Sequence, residues 1–199
     1  GILLPELYKM QVKAIIKASI SVYGKNQKEF PPEIMLPMVS SFKEVNLLKK
    51  LIDDVVAEVN KEINFPINYK LGVMVETPRA ALKAGELAII SSFLSFGTND
   101  LTQMTYGLSR DDSGTFMRDY LEKGIFPVDP FRSLDLDGVG ELLKIASKKS
   151  RAANPSIKIG ICGEHGGDPE SIDFCKKIGL DFVSCSPFRV PIARIAAAQ

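Results

Sequence analysis

Two carboxylates and one thiol in this chain stand at the ends of short apolar runs. Glu76 follows "VMV", Asp100 closes "SFGTND", and Cys162 ends "IKIGIC" ahead of Gly163, Glu164, His165, Gly166 and Gly167. Ser184, Cys185 and Ser186 follow "DFV". If these runs are neighbouring parallel strands, all of these side chains collect at the strands' C-terminal ends, the face on which parallel α/β folds build active sites. Carboxylates on adjacent strand tips, about 4.8 Å apart, can share one divalent ion. Mg²⁺ suits such a pair, since it takes one or two carboxylates and completes its shell with water and substrate. The plainer reading is that each carboxylate caps the helix after it, where negative charge is favoured. Gly97, ahead of Thr98, Asn99 and Asp100, allows close backbone approach, and the amides that follow can receive an anion. Cys162 is either a small core residue closing its strand or a thiol held for proton transfer. His165, the only histidine, reads as a hydrogen-bonded structural residue with no identifiable triad partners.

Elements that would position these groups are legible from periodicity. Residues 5–24 read as an amphipathic helix with Pro5 in its first turn. "EIMLPMV" reads as a strand ending at Val39, and "SFKEVNLLKKLIDDVVAEVNKEI" as a helix capped by Ser40 or Ser41. "KLGVMVE" is a strand, "PRAALKAGELA" a helix, and "SFLSFGTND" holds a third strand. A long irregular stretch from Tyr106 to Asp137 contains a short helix near 115–121, and reads as a lid or interface or as solvated surface. A helix near 138–152, the strand "IKIGICG", a helix capped by Asp168 with Pro169 at its first position, the strand "LDFVSCS" and a closing helix follow. Short apolar strands alternating with helices predict a parallel sheet in one domain. A complete (β/α)8 barrel takes about 250 residues. The pattern therefore fits either an open, doubly wound five-stranded sheet or the back part of a barrel.

Charge and composition exclude several classes. With 25 basic and 24 acidic residues well mixed, the chain has no basic stripe for nucleic acid. No apolar run approaches the roughly 18 residues of a membrane span. Three cysteines, Cys162, Cys175 and Cys185, cannot all pair, and their spacing lacks the CxxC pairs of a zinc site. Reduced thiols in a cytoplasmic setting are expected.

"SFGTNDLTQMTYGLSRDDSG", "GICGEHGGDPES" and "SCSPFRVPIARIAAAQ" resemble the C-terminal phosphoenolpyruvate-binding barrel of the pyruvate, phosphate dikinases. "PELYKMQ", "EIMLPMV" and "VETPRAAL" follow in that family's order, so the resemblance covers nearly the whole chain. Phosphoenolpyruvate synthase and enzyme I of the sugar phosphotransferase system share the Asn-Asp turn and the Cys-Gly pair, but not "GEHGGDP" or the C-terminal motif. The resemblance implies a TIM-type (β/α)8 barrel of which residues 1–199 are a partial domain, the third helix and then strands four to eight. It implies a homodimer formed through that barrel, in an enzyme that interconverts ATP, phosphate and pyruvate with AMP, pyrophosphate and phosphoenolpyruvate. The barrel would perform the step between pyruvate and a phosphohistidine carried on a swivelling domain.

Carried over by motif, Glu76 and Asp100 match the Mg²⁺ ligands, and Glu76, Gly97, Thr98, Asn99 and Asp100 match the substrate-binding residues. Cys162 matches the acid/base at C3 of the three-carbon unit. Family arginines that hold the substrate lie upstream of the residues present here, and His165 sits in the wrong motif to be the phosphohistidine. This chain alone is therefore expected to be inactive. The rival from another class is a non-catalytic dimerisation or regulatory module derived from the barrel, against which the intact Glu76, Asn99, Asp100 and Cys162 argue.

Overall fold

The computed structural model describes residues 1–199, apart from the side chain of Lys25. Five strands form one parallel sheet: β1 (Glu33–Leu36), β2 (Lys70–Val75), β3 (Phe93–Gly97), β4 (Lys158–Cys162) and β5 (Phe182–Val183), in the spatial order β1-β2-β3-β4-β5. That order resolves the alternatives left by the pattern. A doubly wound sheet reverses its strand order partway and carries helices on both faces. Sequential right-handed crossovers keep the helices on one side, as in a β/α barrel.

The helices are α1 (Pro5–Tyr23), α2 (Phe42–Ile63), α3 (Pro78–Leu82), α4 (Ala84–Ile90), α5 (Thr98–Tyr106), α6 (Met117–Glu122), α7 (Val139–Ala153), α8 (Pro169–Lys177) and α9 (Val190–Ala198). They pack neighbour to neighbour, α1 on α2, α2 on α4, α4 on α7 and α8 on α9. The barrel is not closed: β1 and β5 each pair on one side only.

The core lies between the sheet and this helical layer. Ile34, Leu36, Leu71, Val73, Val75, Leu94, Phe96, Ile159 and Ile161 alternate along the strands and are buried against it. The α2 stripe Val45, Leu48, Ile52, Val55, Val56 and Val59 has the matching helical spacing. Ser41, rather than Ser40, is the N-cap of α2, and Glu44 returns the bond to complete a capping box. Residues between the core positions face the other side, the barrel interior. The register there sets Gly72 beside Phe93, Met74 beside Ser95, and Gly97 beside Cys162. A Cβ at Gly72 or Gly160 would run into the ring of Phe93 or Phe182, so small and large residues alternate across this face.

Three boundaries differ from expectation. β1 stops at Leu36 rather than Val39, because Pro37 offers no ladder donor and Met38 turns into the left-handed region with φ 52. "PRAALKAGELA" breaks at Lys83 into α3 and α4, where α4 brings Gly85 so close to α7 that a Cβ there would lie 3.0 Å from the Lys149 carbonyl. β5 is only two residues long. The stretch after Tyr106 holds a 3-10 turn at Ser113–Thr115 and then α6, tied down by a chain of ring contacts, Tyr106 to Phe126, Phe126 to Tyr120 and Tyr120 to Phe116.

Candidate active site

The tips of β2, β3 and β4 meet at one end of the interior face. Glu76 is the residue after β2, and only 7% of it is exposed. Its Oε1 accepts a 2.7 Å hydrogen bond from the backbone N–H of Met38, the residue in the left-handed turn after β1. Thr77, not Glu76, caps α3 by accepting from the Ala80 N–H, so the capping reading fails for Glu76. Asp100 lies inside the first turn of α5, where its Oδ1 accepts from Gln103 Nε2 at 2.9 Å. Burial raises the Glu76 carboxyl above its usual range, the Met38 N–H opposes this, and the neighbouring Asp100 charge raises it further. Two carboxylates in mutual repulsion, one of them nearly buried, form an environment that a cation would relieve.

Gly97 lets them approach. A Cβ there would stand 2.6 Å from Glu76 Oε2 and 2.8 Å from Glu76 Cβ. Asn99 comes next, and its buried Oδ1 has no hydrogen-bond partner among the described residues. Gly163, with φ 86, brings the β4 turn so close that a Cβ would lie 3.2 Å from the Asn99 amide. Among the described residues no group of three or more His, Cys, Asp or Glu gathers as a self-contained metal cage. Glu76 and Asp100 remain as two hard oxygen donors beside an unsatisfied amide.

Cys162 ends β4 on the same face and is half-buried. Its thiol lies 3.4 Å from the Phe96 carbonyl and 3.7 Å from Met74 Sδ. Burial pushes it above the usual thiol range and the Glu76 and Asp100 charges add to this, while a hydrogen bond with the Ser95 hydroxyl pulls the other way. Above its tip, Cys162, Gly163, Glu164, Ser184, Cys185 and Arg189 line a cavity of about 300 Å³. Arg110, from the stretch after α5, reaches across to Glu164 at 3.3 Å. This stretch therefore contributes to the rim of the site as well as to solvated surface.

His165 is fully buried, with Nδ1 2.7 Å from Thr98 Oγ1 and Nε2 2.9 Å from the Pro130 carbonyl. Thr98 Oγ1 also lies 3.1 Å from the Cys162 carbonyl. Burial lowers His165 below the ordinary imidazole range, against the Pro130 carbonyl and the Asp168 and Glu164 charges, with Arg110 reinforcing the drop.

The structure thus gathers Glu76, Gly97, Thr98, Asn99, Asp100 and Cys162 at one end of the barrel interior. Sequence reasoning missed Ser95, the Met38 amide and Gln103. Ser95 carries a strand-alternation signal, since it stands two residues from Gly97 on the same face. Gln103 stands at the i+3 helical spacing from Asp100 and also accepts from the Arg110 N–H at 2.7 Å. The Met38 amide has no sequence signal, because it is a backbone group from another element.

A family model for the PEP-binding domain of PEP-utilising enzymes matches residues 1–199. The chain is 55% identical over its full length to a chloroplastic pyruvate, phosphate dikinase of Mesembryanthemum crystallinum, of which it covers 21%. It is 52% identical over 98% of its length to a pyruvate, phosphate dikinase of Clostridium symbiosum, of which it covers 22%. The chain therefore spans about a fifth of the length of these curated relatives. Among solved structures, a citrate lyase of Burkholderia xenovorans LB400 superposes with a TM-score of 0.57 over 84% of this chain and 49% of that one, at 16% identity, a likeness of fold.

Proposed function

Because the chain belongs to the PEP-utilising enzymes through their PEP-binding domain, we propose that it forms the C-terminal part of the phosphoenolpyruvate/pyruvate site of a pyruvate, phosphate dikinase. The observation that carries the reading is the convergence of Glu76, Asn99, Asp100 and Cys162 on one end of the barrel interior. Fragment status follows from the same reading: the remaining strands, their arginines and the phosphohistidine domain lie elsewhere in the parent polypeptide.

In the phosphoenolpyruvate-forming direction, Cys162 as thiolate removes a proton from C3 of pyruvate. The C–H electron pair moves through C2 onto the carbonyl oxygen, giving the enolate. That oxygen attacks the phosphorus of the phosphohistidine, an O–P bond forms, and the N–P bond breaks with its electrons returning to the imidazole. In reverse, the Cys162 thiol delivers its proton to C3. The raised thiol keeps Cys162 protonated at neutral pH, as the acid role requires, and the Ser95 hydroxyl offsets part of the cost of forming thiolate. Glu76 and Asp100 are the residues that would hold Mg²⁺, the Glu76 carboxylate being aimed by the Met38 N–H. Mg²⁺, when bound, would supply Lewis-acid stabilisation of the enolate charge. Gly97 and Thr98 shape the turn, and the Asn99 side-chain N–H donates to the enolate or a phosphoryl oxygen of the substrate.

On this reading the partners are pyruvate or phosphoenolpyruvate, the swivelling domain and a second copy of the barrel. Three free cysteines support a reducing, cytoplasmic or stromal, setting. Among the described residues no helix is long and apolar enough to cross a membrane. The test is a titration of the complete polypeptide with oxalate, a mimic of the enolate, with Mg²⁺ and after its removal. Binding that depends on Mg²⁺ and is lost in Glu76→Gln is expected. Equal binding without the metal would remove Glu76 and Asp100 from their assigned role.

A further inference from the structure

We propose that His165 is a positioning residue that locks the Thr98–Asp100 turn to the Cys162 backbone, an inference that rests on the function proposed above. His165 and Thr98 are fully buried, so every proton between them and their neighbours must be accounted for within the protein. The Pro130 carbonyl can only accept, so the 2.9 Å contact requires hydrogen on His165 Nε2. In the neutral ring Nδ1 then carries a lone pair, so the single hydrogen of the Thr98 hydroxyl is shared, as a three-centre bond, between Nδ1 at 2.7 Å and the Cys162 carbonyl at 3.1 Å. The other neutral tautomer would set a lone pair against the Pro130 carbonyl. Burial disfavours the charged ring, so the neutral, Nε2-protonated form is the resting one.

This chain of bonds adds a side-chain tie between the turns that follow β3 and β4, whose strands already pair at Gly97 and Cys162, and joins both turns to the stretch that carries Pro130. Thr98 opens α5 and is followed directly by Asn99 and Asp100. Thr98 Oγ1 touches the carbonyl of Cys162, while Gly163 abuts the Asn99 amide. Pro130 belongs to the stretch that also sends Arg110 to the rim. His165 therefore holds the turn after β3 against the turn after β4, beyond the point where the strand pairing ends. It touches neither substrate nor metal on the proposed reading. Glu76 is held by the Met38 N–H and Asp100 by Gln103, bonds that do not pass through His165, so oxalate binding should change little when the lock is lost, while proton transfer at C3, which needs Cys162 in register with the turn, should suffer.

The test uses the complete polypeptide with His165→Ala, His165→Asn and His165→Gln. Gln carries an NH2 group that can donate to the Pro130 carbonyl and an oxygen that can accept from Thr98, as the two nitrogens of the neutral ring do, and Asn, one carbon shorter, retains reach to Thr98 alone. Expected is a loss of about 100-fold in solvent exchange of pyruvate methyl protons for His165→Ala, the scale of a misplaced reacting group. Oxalate affinity should stay within about threefold, His165→Gln should recover most of the exchange, and His165→Asn should fall between. In the absence of pyruvate, Cys162 in the Ala variant should react faster with iodoacetamide than in wild type, and the Gln variant should not. If the Ala variant does not fold, the Asn and Gln variants carry the comparison. Exchange within threefold of wild type in His165→Ala, or equal loss of oxalate binding and exchange without rescue by Gln, overturns the lock. If wild type itself shows no methyl exchange, the functional reading fails, and Cys162 alkylation alone then decides the lock, with unchanged rates in all three variants overturning it.

Discussion

Gly97→Ala is the most direct probe of how the two carboxylates are brought together. The new methyl carbon would stand 2.6 Å from Glu76 Oε2, 2.8 Å from Glu76 Cβ and 3.1 Å from Met74 Cγ. Carbon atoms prefer about 3.5–4.0 Å. The oxygen could swing away, but Cβ of Glu76 is fixed by its own backbone, so the tip of β2 or the β3 turn must move by several tenths of an ångström. Overpacking of this kind costs about 1–3 kcal/mol. If Glu76 also leaves the Met38 N–H, a hydrogen bond to a charged group is lost, a further ~1.5–3 kcal/mol. At roughly 2–4 °C per kcal/mol for a domain of this size, the two costs together, about 2.5–6 kcal/mol, should lower Tm by about 5–24 °C. The control is Gly114→Ala, where a Cβ meets nothing within 4 Å and φ is unexceptional. Calorimetry of the two variants, with oxalate titrated in the presence of Mg²⁺, should show Gly97→Ala destabilised and at least about tenfold weaker in binding, and Gly114→Ala like wild type. A Gly97→Ala protein matching its control in both measurements would falsify the claim that the glycine exists to admit Glu76.

Four further outcomes are expected. Cys162→Ala should abolish methyl-proton exchange of pyruvate by the complete polypeptide while Mg²⁺ and oxalate still bind, and undiminished exchange would remove Cys162 from the acid/base role. In native protein at pH 8, iodoacetamide followed by peptide mass spectrometry should leave Cys175 unmodified, since burial pushes its thiol up to about 12; rapid labelling of Cys175 would contradict its buried position. Asp181 accepts from the Ile159 N–H and pairs with Arg151 and Lys158, which hold its carboxyl below the ordinary 3.8. Its contribution is therefore present at neutral pH and lost as pH falls through that depressed value, so Asp181→Asn should lower Tm at pH 7 and the gap to wild type should narrow as pH falls below the ordinary 3.8, whereas a gap constant across pH would refute the linkage. Ser41→Ala removes the α2 cap and should cost about 1 kcal/mol in urea unfolding, with no change in oxalate binding.

Much of this protein could be read from the chain. Alternation in "KLGVMV" and "KIGIC", helical spacing in residues 42–63, and the Asp168-Pro169 start of α8 are local patterns, because side-chain periodicity and end-capping are properties of a few adjacent residues. The same locality let Glu76, Asp100 and Cys162 be placed at strand or turn ends, and the motifs around them carried the family. Local patterns could not choose between two ways of assembling five βα units. That choice depended on strand order, which arises from pairings between residues far apart in the chain, from Gly72 with Phe93 to Phe93 with Lys158. Tertiary structure also decided that Pro37 ends β1, so that the Met38 amide meets a carboxylate from β2. It placed Ser95 beneath the thiol and set His165 between Thr98 and a carbonyl 35 residues away. These contacts join backbone and side chains from separate elements, and they come into existence only when the sheet curls and brings its strand tips together.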